Sequence, residues 1–321
     1  MKLDAEFFRL PYRYDVERLR QELASVPETA WIPHPDQHRG NMALPLISLN
    51  GENNNLFHGP MRVTPHLLRL EYMQQVIASL GEVCGRSRLM RLAPGCEVPL
   101  HTDTNYHWHN RVRIHVPITT TSDVQFYCGD KQTHMGAGEC WIFDTWKQHR
   151  VINGSGQERV HLVFDTAGSS RFWECVEASE RPCDRGGEAR LEDQFIPYEP
   201  GKRVQILTER YNVTPVKSPG EVDGLINDLL LDVAAEPGNS IEAVAEYRRL
   251  LRRFARDWRM LFSLYGYESA GTEQYSGLID ASAAAISDCP VEVKTASNGQ
   301  DARSIFLHRV LDAALEPGRL K

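Results

Sequence analysis

Between residues 87 and 165 the sequence breaks into short runs rich in β-branched and aromatic residues, each closed by a turn signal. The runs are SRLMRLA, then Pro94-Gly95, then CEVPLHTD; RVRIHVPIT; VQFYC, followed by GDKQTH; ECWIFDT; and ERVHLVFDT. Five or six strands in about eighty residues, at this spacing, predict a sandwich or barrel of jelly-roll type. No other stretch limits the fold as strongly.

Around this block the texture differs. Residues 15–26 (DVERLRQELASV) have helical apolar spacing. Residues 28–60, rich in Asn, Gly, Pro and His, read as loop with short extended pieces. Residues 66–84 read as a helix that fades at Gly85. Ser218-Pro219-Gly220-Glu221 is a capping box with proline at the first helical position, and that helix ends at Pro237-Gly238. A second helix, capped by Ser240, runs over 241–265, and two more are expected near 273–288 and 301–315. At 321 residues the chain is long enough for two domains. We expect a jelly-roll domain over 1–170, a connector over 171–205 and an all-α domain over 206–321.

The chain carries 43 acidic against 36 basic side chains. That balance disfavours a nucleic-acid-coating role, which wants a basic face. Charges interrupt the N-terminus every few residues, so it has no signal-peptide core, and no run approaches a membrane span. The seven cysteines form no CxxC pair. An odd count without that pair fits buried thiols in a reducing, cytoplasmic setting.

The stretch HTDTNYHWHNRVRIH, residues 101–115, holds four of the twelve histidines. On a strand, residues two apart share a face, so His101 and Asp103 offer two adjacent ligands for a cation. His149, after WIFDT and a short turn, is the natural third. Two histidines and one carboxylate with open positions are the pattern of non-haem Fe(II) oxygenases. A lone H-x-D is weak, because histidine is often just a half-buried polar residue. The second strand pair strengthens it. Arg113 shares a face with His115, and Arg159 with His161. A guanidinium inside a barrel needs a carboxylate and grips it bidentately. A dicarboxylic co-substrate would supply one.

These pieces, APGCEVPLHTD, RVRIHVPI, GAGECWIFDTWKQHRVIN and ERVHLVFDT, resemble the aspartyl/asparaginyl β-hydroxylase family of Fe(II)/2-oxoglutarate oxygenases. The resemblance covers residues 87–165, about a quarter of the chain; the C-terminal third lies outside it. It implies a mainly β fold with α: a double-stranded β-helix (jelly-roll, cupin-like) core with N-terminal helices, beside the C-terminal all-α domain. It implies that His101 and His149 are the paired metal histidines. It also implies that Arg159 salt-bridges the distal carboxylate of 2-oxoglutarate, with His115 and Arg113 near its chelating end or the substrate. The animal enzyme that names the family has glycine where this chain has Asp103, so the chain looks more like the proline-hydroxylase branch, with a full triad. Met90 stands where that enzyme has a serine that helps to hold 2-oxoglutarate.

The implied cofactors are Fe(II), 2-oxoglutarate and O2. The implied reaction hydroxylates an amino-acid side chain, free or in a peptide, with succinate and CO2 as co-products. Arg111 and Trp108 are substrate candidates. Arg111 either faces the substrate or, by alternation with the other odd positions, only lines the pocket. For His107, Trp108 and His109 we expect a solvated loop. We expect His134 and His161 to be structural, and Asp144 to support a ligand. Asn153 either does the same or shapes the turn before Gly154. On the helix 241–265, Arg248, Arg249, Arg252, Arg253, Arg256 and Arg259 form a basic face. A solvated face is expected, and a dock for an acidic peptide or carrier protein is the sharper alternative. No nucleic-acid or membrane partner is expected. A non-catalytic cupin-like binder is the competing function, but it has no need of Arg159. A zinc hydrolase on the same ligands would lack a general base.

Overall fold

The computed structural model describes residues 1–35, 37–184, 186–188, 191–316 and 320. The chain divides into two compact units, one of residues 1–103 and 110–212, the other of residues 104–109 and 213–321.

The first unit is a double-stranded β-helix. Its core strands are β5 (Cys84–Leu92), β6 (Glu97–His101), β7 (Val112–Thr119), β8 (Val124–Cys128), β9 (Lys131–Thr133), β10 (Glu139–Phe143), β11 (His149–Asn153) and β12 (Arg159–Thr166). The chain alternates between two sheets, so that β10-β7-β12-β5 lie side by side in the larger and β6-β11-β8-β9 in the smaller. The larger sheet is extended at one end by β1 (Phe7–Tyr14) and β13 (Gln194–Ile196). At the other end it gains β3 (Asn41–Leu49), which pairs with both β2 (Ile32–Pro33) and β4 (Met61–Val63).

Period-two alternation divides the residues of the larger sheet between two cores. One set, including Leu10, Leu44, Leu46, Leu89, Ile114, Val116, Cys140, Ile142, Leu162 and Phe164, packs under helices. These helices are α1 (Val16–Ala24), α2 (Glu71–Ser79) and α3 (Ser170–Glu177), which contribute Leu19, Tyr72, Met73, Val76, Phe172 and Val176. The other set faces the smaller sheet, where Phe7, Leu92, Trp141 and Phe143 meet Val124, Phe126, Cys128 and Val151. The arginines and histidines of β7 and β12 belong to this second, interior face.

Three expectations change. Residues 28–60 were to be loop with short extended pieces, yet Asn41–Leu49 is a nine-residue strand paired along β5. Its Pro45 sits where the register shifts, so the missing N–H falls at a bulge. The helix expected over 66–84 begins with a 3₁₀ turn, runs only over Glu71–Ser79, and gives way to strand at Cys84. Gly81, at φ +68°, makes the left-handed exit that lets the chain turn into β5. The stretch 171–205, expected as connector, carries α3 and β13 within the first unit.

In the second unit, α4 (Pro219–Ala235) and α5 (Ile241–Tyr265) begin where their caps predict. The Ser218 hydroxyl accepts from Glu221 N and that of Ser240 from Ala243 N. Then come α6 (Thr272–Ser287) and a last helix that opens as α7 (Ala302–Ile305), widens into a π-helical stretch over Phe306–Leu311 and closes as α8 (Asp312–Ala314). Tyr247, Leu251, Phe254, Trp258 and Leu261 bury one stripe of α5. Trp258 packs on Tyr275 at 4.8 Å and Phe254 on Phe306 at 5.7 Å. Much of the basic face is answered from within the unit: Arg249 by Glu246, Arg253 by Asp257, Arg252 by Asn227 and Arg259 by Asp223. Among the described residues, no helix is long and apolar enough to cross a membrane.

Candidate active site

His101 closes β6 and His149 opens β11, and antiparallel pairing sets them directly opposite each other. Their ring centroids lie 4.1 Å apart. Asp103 follows in the same run, its amide donating to Thr145 O at 3.0 Å. One ligand atom from each of His101, Asp103 and His149 lies within 4.8 Å of the others. Each imidazole is already oriented. His101 Nδ1 meets Pro99 O at 2.7 Å, and His149 Nδ1 meets Lys147 O at 2.9 Å. A carbonyl can only accept, so both Nδ1 atoms carry a proton, which leaves Nε2 as the atom of each ring that could ligate a metal. Burial pushes the His149 imidazole down to about 4, which keeps it neutral and fit to ligate. Two imidazole nitrogens and a carboxylate oxygen are a donor set that could hold a divalent transition-metal ion.

Asp144 builds the turn before His149. It is buried, and its carboxylate accepts from Trp146 N at 2.9 Å and from Leu3 N at 3.2 Å. Burial raises its pKa. The turn it closes carries Lys147, whose carbonyl orients His149. Asn153, at the far end of β11, is a latch: its Nδ2 donates to Leu92 O, Ala93 O and Gln157 O, and its Oδ1 accepts from Ser155.

Deeper on the interior face lie Arg159, His161 and His115. Arg159 is 5% exposed and has no hydrogen bond or ion pair among the described residues; its guanidinium covers the Phe126 ring at 4.9 Å. Burial alone presses its pKa down to about 9. A buried cation without a counter-charge is costly, so the donor set here fits an incoming carboxylate. His115 and His161 are buried too, and none of their ring nitrogens has a partner among the described residues. Burial, with the Arg159 charge next in weight, holds both well below the usual imidazole range.

The other arginines of this face are answered by the chain itself. Arg113 grips Asp165 with two bonds, Nε at 2.8 Å and Nη2 at 3.2 Å. Burial works against its charge, but the Asp165 carboxylate outweighs that and leaves its pKa raised. Arg111 donates to Glu209 at 2.7 Å. Sequence reading proposed both arginines and named neither partner. Asp165 could have been found, since it falls on the same alternation as Arg159 and His161; Glu209 lies outside any strand and left no such signal.

Trp108 belongs to the second unit, not to this cluster. The solvated loop expected for His107, Trp108 and His109 is a 3₁₀ turn, with His107 and Trp108 only 3% and 4% exposed. The turn is anchored within that unit. Tyr106 donates its hydroxyl proton to Glu221, and Lys217 Nζ lies 3.3 Å from the centre of the Tyr106 ring. Arg309 Nε donates to Thr104 O at 3.0 Å. His134 Nδ1 lies 3.0 Å from Val124 O, as a structural histidine would.

Comparison with known proteins finds similarity over part of the chain. Residues 15–168 match the family model described as aspartyl/asparaginyl beta-hydroxylase. Among solved structures, the chain is similar to an oxidoreductase of the 2OG-Fe(II) oxygenase family from Burkholderia pseudomallei, at 11% identity and TM-score 0.35, over 48% of this chain and 79% of that one. It is also similar to a Pseudomonas putida prolyl-4-hydroxylase, at 14% identity and TM-score 0.35, over 51% and 92% of the two chains. A cupin domain from Bordetella pertussis Tohama I is similar at 20% identity and TM-score 0.21, over 25% and 79%. No curated protein sequence matches. The histidine–carboxylate cluster thus lies within the matched stretch: residues 15–168, just under half of the chain, are similar to the aspartyl/asparaginyl β-hydroxylase family.

Proposed function

We propose that the protein is an Fe(II)/2-oxoglutarate-dependent dioxygenase that hydroxylates an amino-acid side chain, free or within a peptide. The observation that carries this reading is Arg159: a buried guanidinium, ten residues past His149, to which the described residues offer no carboxylate. A protein that only held a metal would gain nothing from that charge. In the proposed roles, His101 Nε2, Asp103 and His149 Nε2 hold the metal, Arg159 grips the distal carboxylate of 2-oxoglutarate, and His115 stands beside the co-substrate. Bound iron and 2-oxoglutarate would supply the oxidising power, O2 being consumed as 2-oxoglutarate leaves as succinate and CO2 and a substrate C–H becomes C–OH.

What remains to the chain is placement. The Pro99 and Lys147 carbonyls lock the two imidazoles, so little reorganisation is needed when a metal arrives. Phe126, Trp141 and Phe143 wall the interior and exclude water from the face that carries Arg159. Arg111 and Arg113 are already paired with Glu209 and Asp165, so a substrate carboxylate would have to compete for them.

Metal-free protein given Fe(II) and 2-oxoglutarate under anaerobic conditions should develop the visible charge-transfer band of the chelate. Arg159→Met should weaken 2-oxoglutarate binding by about 2–4 kcal/mol, the range for a charged partner removed from a buried pair. No band in the wild type, with tight zinc binding instead, would refute the hydroxylase reading. Release of succinate across a panel of amino acids and peptides would then identify the substrate.

A further inference from the structure

His161 follows Arg159 by two residues on β12, so strand alternation turns both side chains to the same interior face. It is 0% exposed, and neither ring nitrogen has a partner among the described residues. Its ring stacks on Phe126 at 5.4 Å and 23°, and the guanidinium of Arg159 covers that same ring. Imidazole and guanidinium therefore share one aromatic platform. The neighbours cannot satisfy it: Met90 lies directly across the ladder, and His115 meets it edge-on at 5.7 Å between ring centres. A histidine serving only to fill this space would do no better than leucine and would leave its N–H stranded.

We propose that His161 donates its ring N–H to the carboxylate that Arg159 grips, making it a co-substrate-binding residue that selects a 2-oxo dicarboxylate over a 2-oxo monocarboxylate. This rests on the function proposed above and extends it. A neutral imidazole has one donor and one acceptor nitrogen, so a single N–H can serve a carboxylate oxygen while Arg159 supplies the charge. The two contacts together would define where the distal end of the co-substrate stops. Met90, unbranched and without a donor, leaves that end to β12 alone.

The test uses the full chain loaded with Fe(II) without oxygen, titrated separately with 2-oxoglutarate and with 2-oxobutyrate, which keeps the 2-oxo acid head and lacks the distal carboxylate. Band intensity and calorimetry both report binding. His161→Leu should weaken 2-oxoglutarate on the order of 10- to 100-fold, the worth of a hydrogen bond to a charged group. It should leave 2-oxobutyrate within about twofold. His161→Asn, which restores an amide N–H, should recover part of the loss. If His161→Leu binds both acids as the wild type does, or weakens both equally, the assignment of His161 is wrong while the hydroxylase reading stands. If the wild type binds neither acid, both fall together.

Discussion

Arg113 and Arg159 stand on adjacent strands of one sheet and on the same interior face, yet they are treated in opposite ways. Asp165 meets Arg113 with a two-pronged pairing, and the guanidinium keeps a raised pKa. Arg159, among the described residues, has the face of Phe126 and no carboxylate, and its pKa sinks to about 9. Arg111 follows the first pattern through Glu209. The chain thus answers its own arginines where they are architectural. Where the described residues offer no carboxylate, as at Arg159, the proposed function has the ligand bring the missing charge. Residue type alone, arginine in a barrel, does not separate a strut from a binding group; the partner does.

The comparison makes opposite predictions for stability. Asp165→Ala removes the carboxylate that Arg113 grips with two bonds and that lies 3.8 Å from Arg86. It should destabilise the ligand-free protein by about 3–5 kcal/mol in urea unfolding. Arg159→Met removes a charge that nothing balances, and should stabilise the same protein by about 1–3 kcal/mol. Should Arg159→Met destabilise as Asp165→Ala does, the two arginines are alike and the contrast fails. A smaller effect sharpens the contrast. His115 and His161 stay neutral when folded, well below the usual imidazole range, whereas the unfolded chain takes up protons near pH 6.5. The unfolded state therefore binds more protons below that value. Stability should be full above about pH 6.5 and fall as pH drops, by about 1.4 kcal/mol per pH unit for each such histidine. Urea midpoints between pH 7 and pH 5 should show the slope, and His161→Leu should reduce it by one proton's worth.

Much of this was legible in the sequence, for reasons that can be named. Ser218, Pro219 and Ser240 announce α4 and α5 because caps are local chemistry. The alternation of Arg159 with His161 survives because the strand period does not depend on partners; that of His101 with Asp103 does not, since β6 ends at His101, and it is the Asp103 amide on Thr145 O that fixes the chain there. What failed has physical causes too. The strand β1 was not foreseen and β3 was taken for loop; each contains a proline, Pro11 or Pro45, at a register shift, where a bulge absorbs the missing donor. The pairing of Arg113 with Asp165 needs the β7–β12 register, and that of Arg111 with Glu209 needs a loop position; neither follows from local pattern. The burial of His107 and Trp108 was hidden for the same reason, since Glu221, which anchors their turn through Tyr106, is more than a hundred residues away in sequence.

The chain leaves the first unit directly after Asp103 and re-enters it at Asn110. The six residues between are pinned by Glu221, Lys217 and Arg309 of the helical unit. A gene shortened at residue 212 would still encode every strand of the jelly roll and all three of His101, Asp103 and His149. It would not encode the anchors of the segment that begins one peptide bond beyond Asp103. The helical unit is therefore not cargo that recombination could append or discard at a single splice. It enters the chain twice, and any shuffled or trimmed descendant would have to reinvent the first entry in order to keep the second.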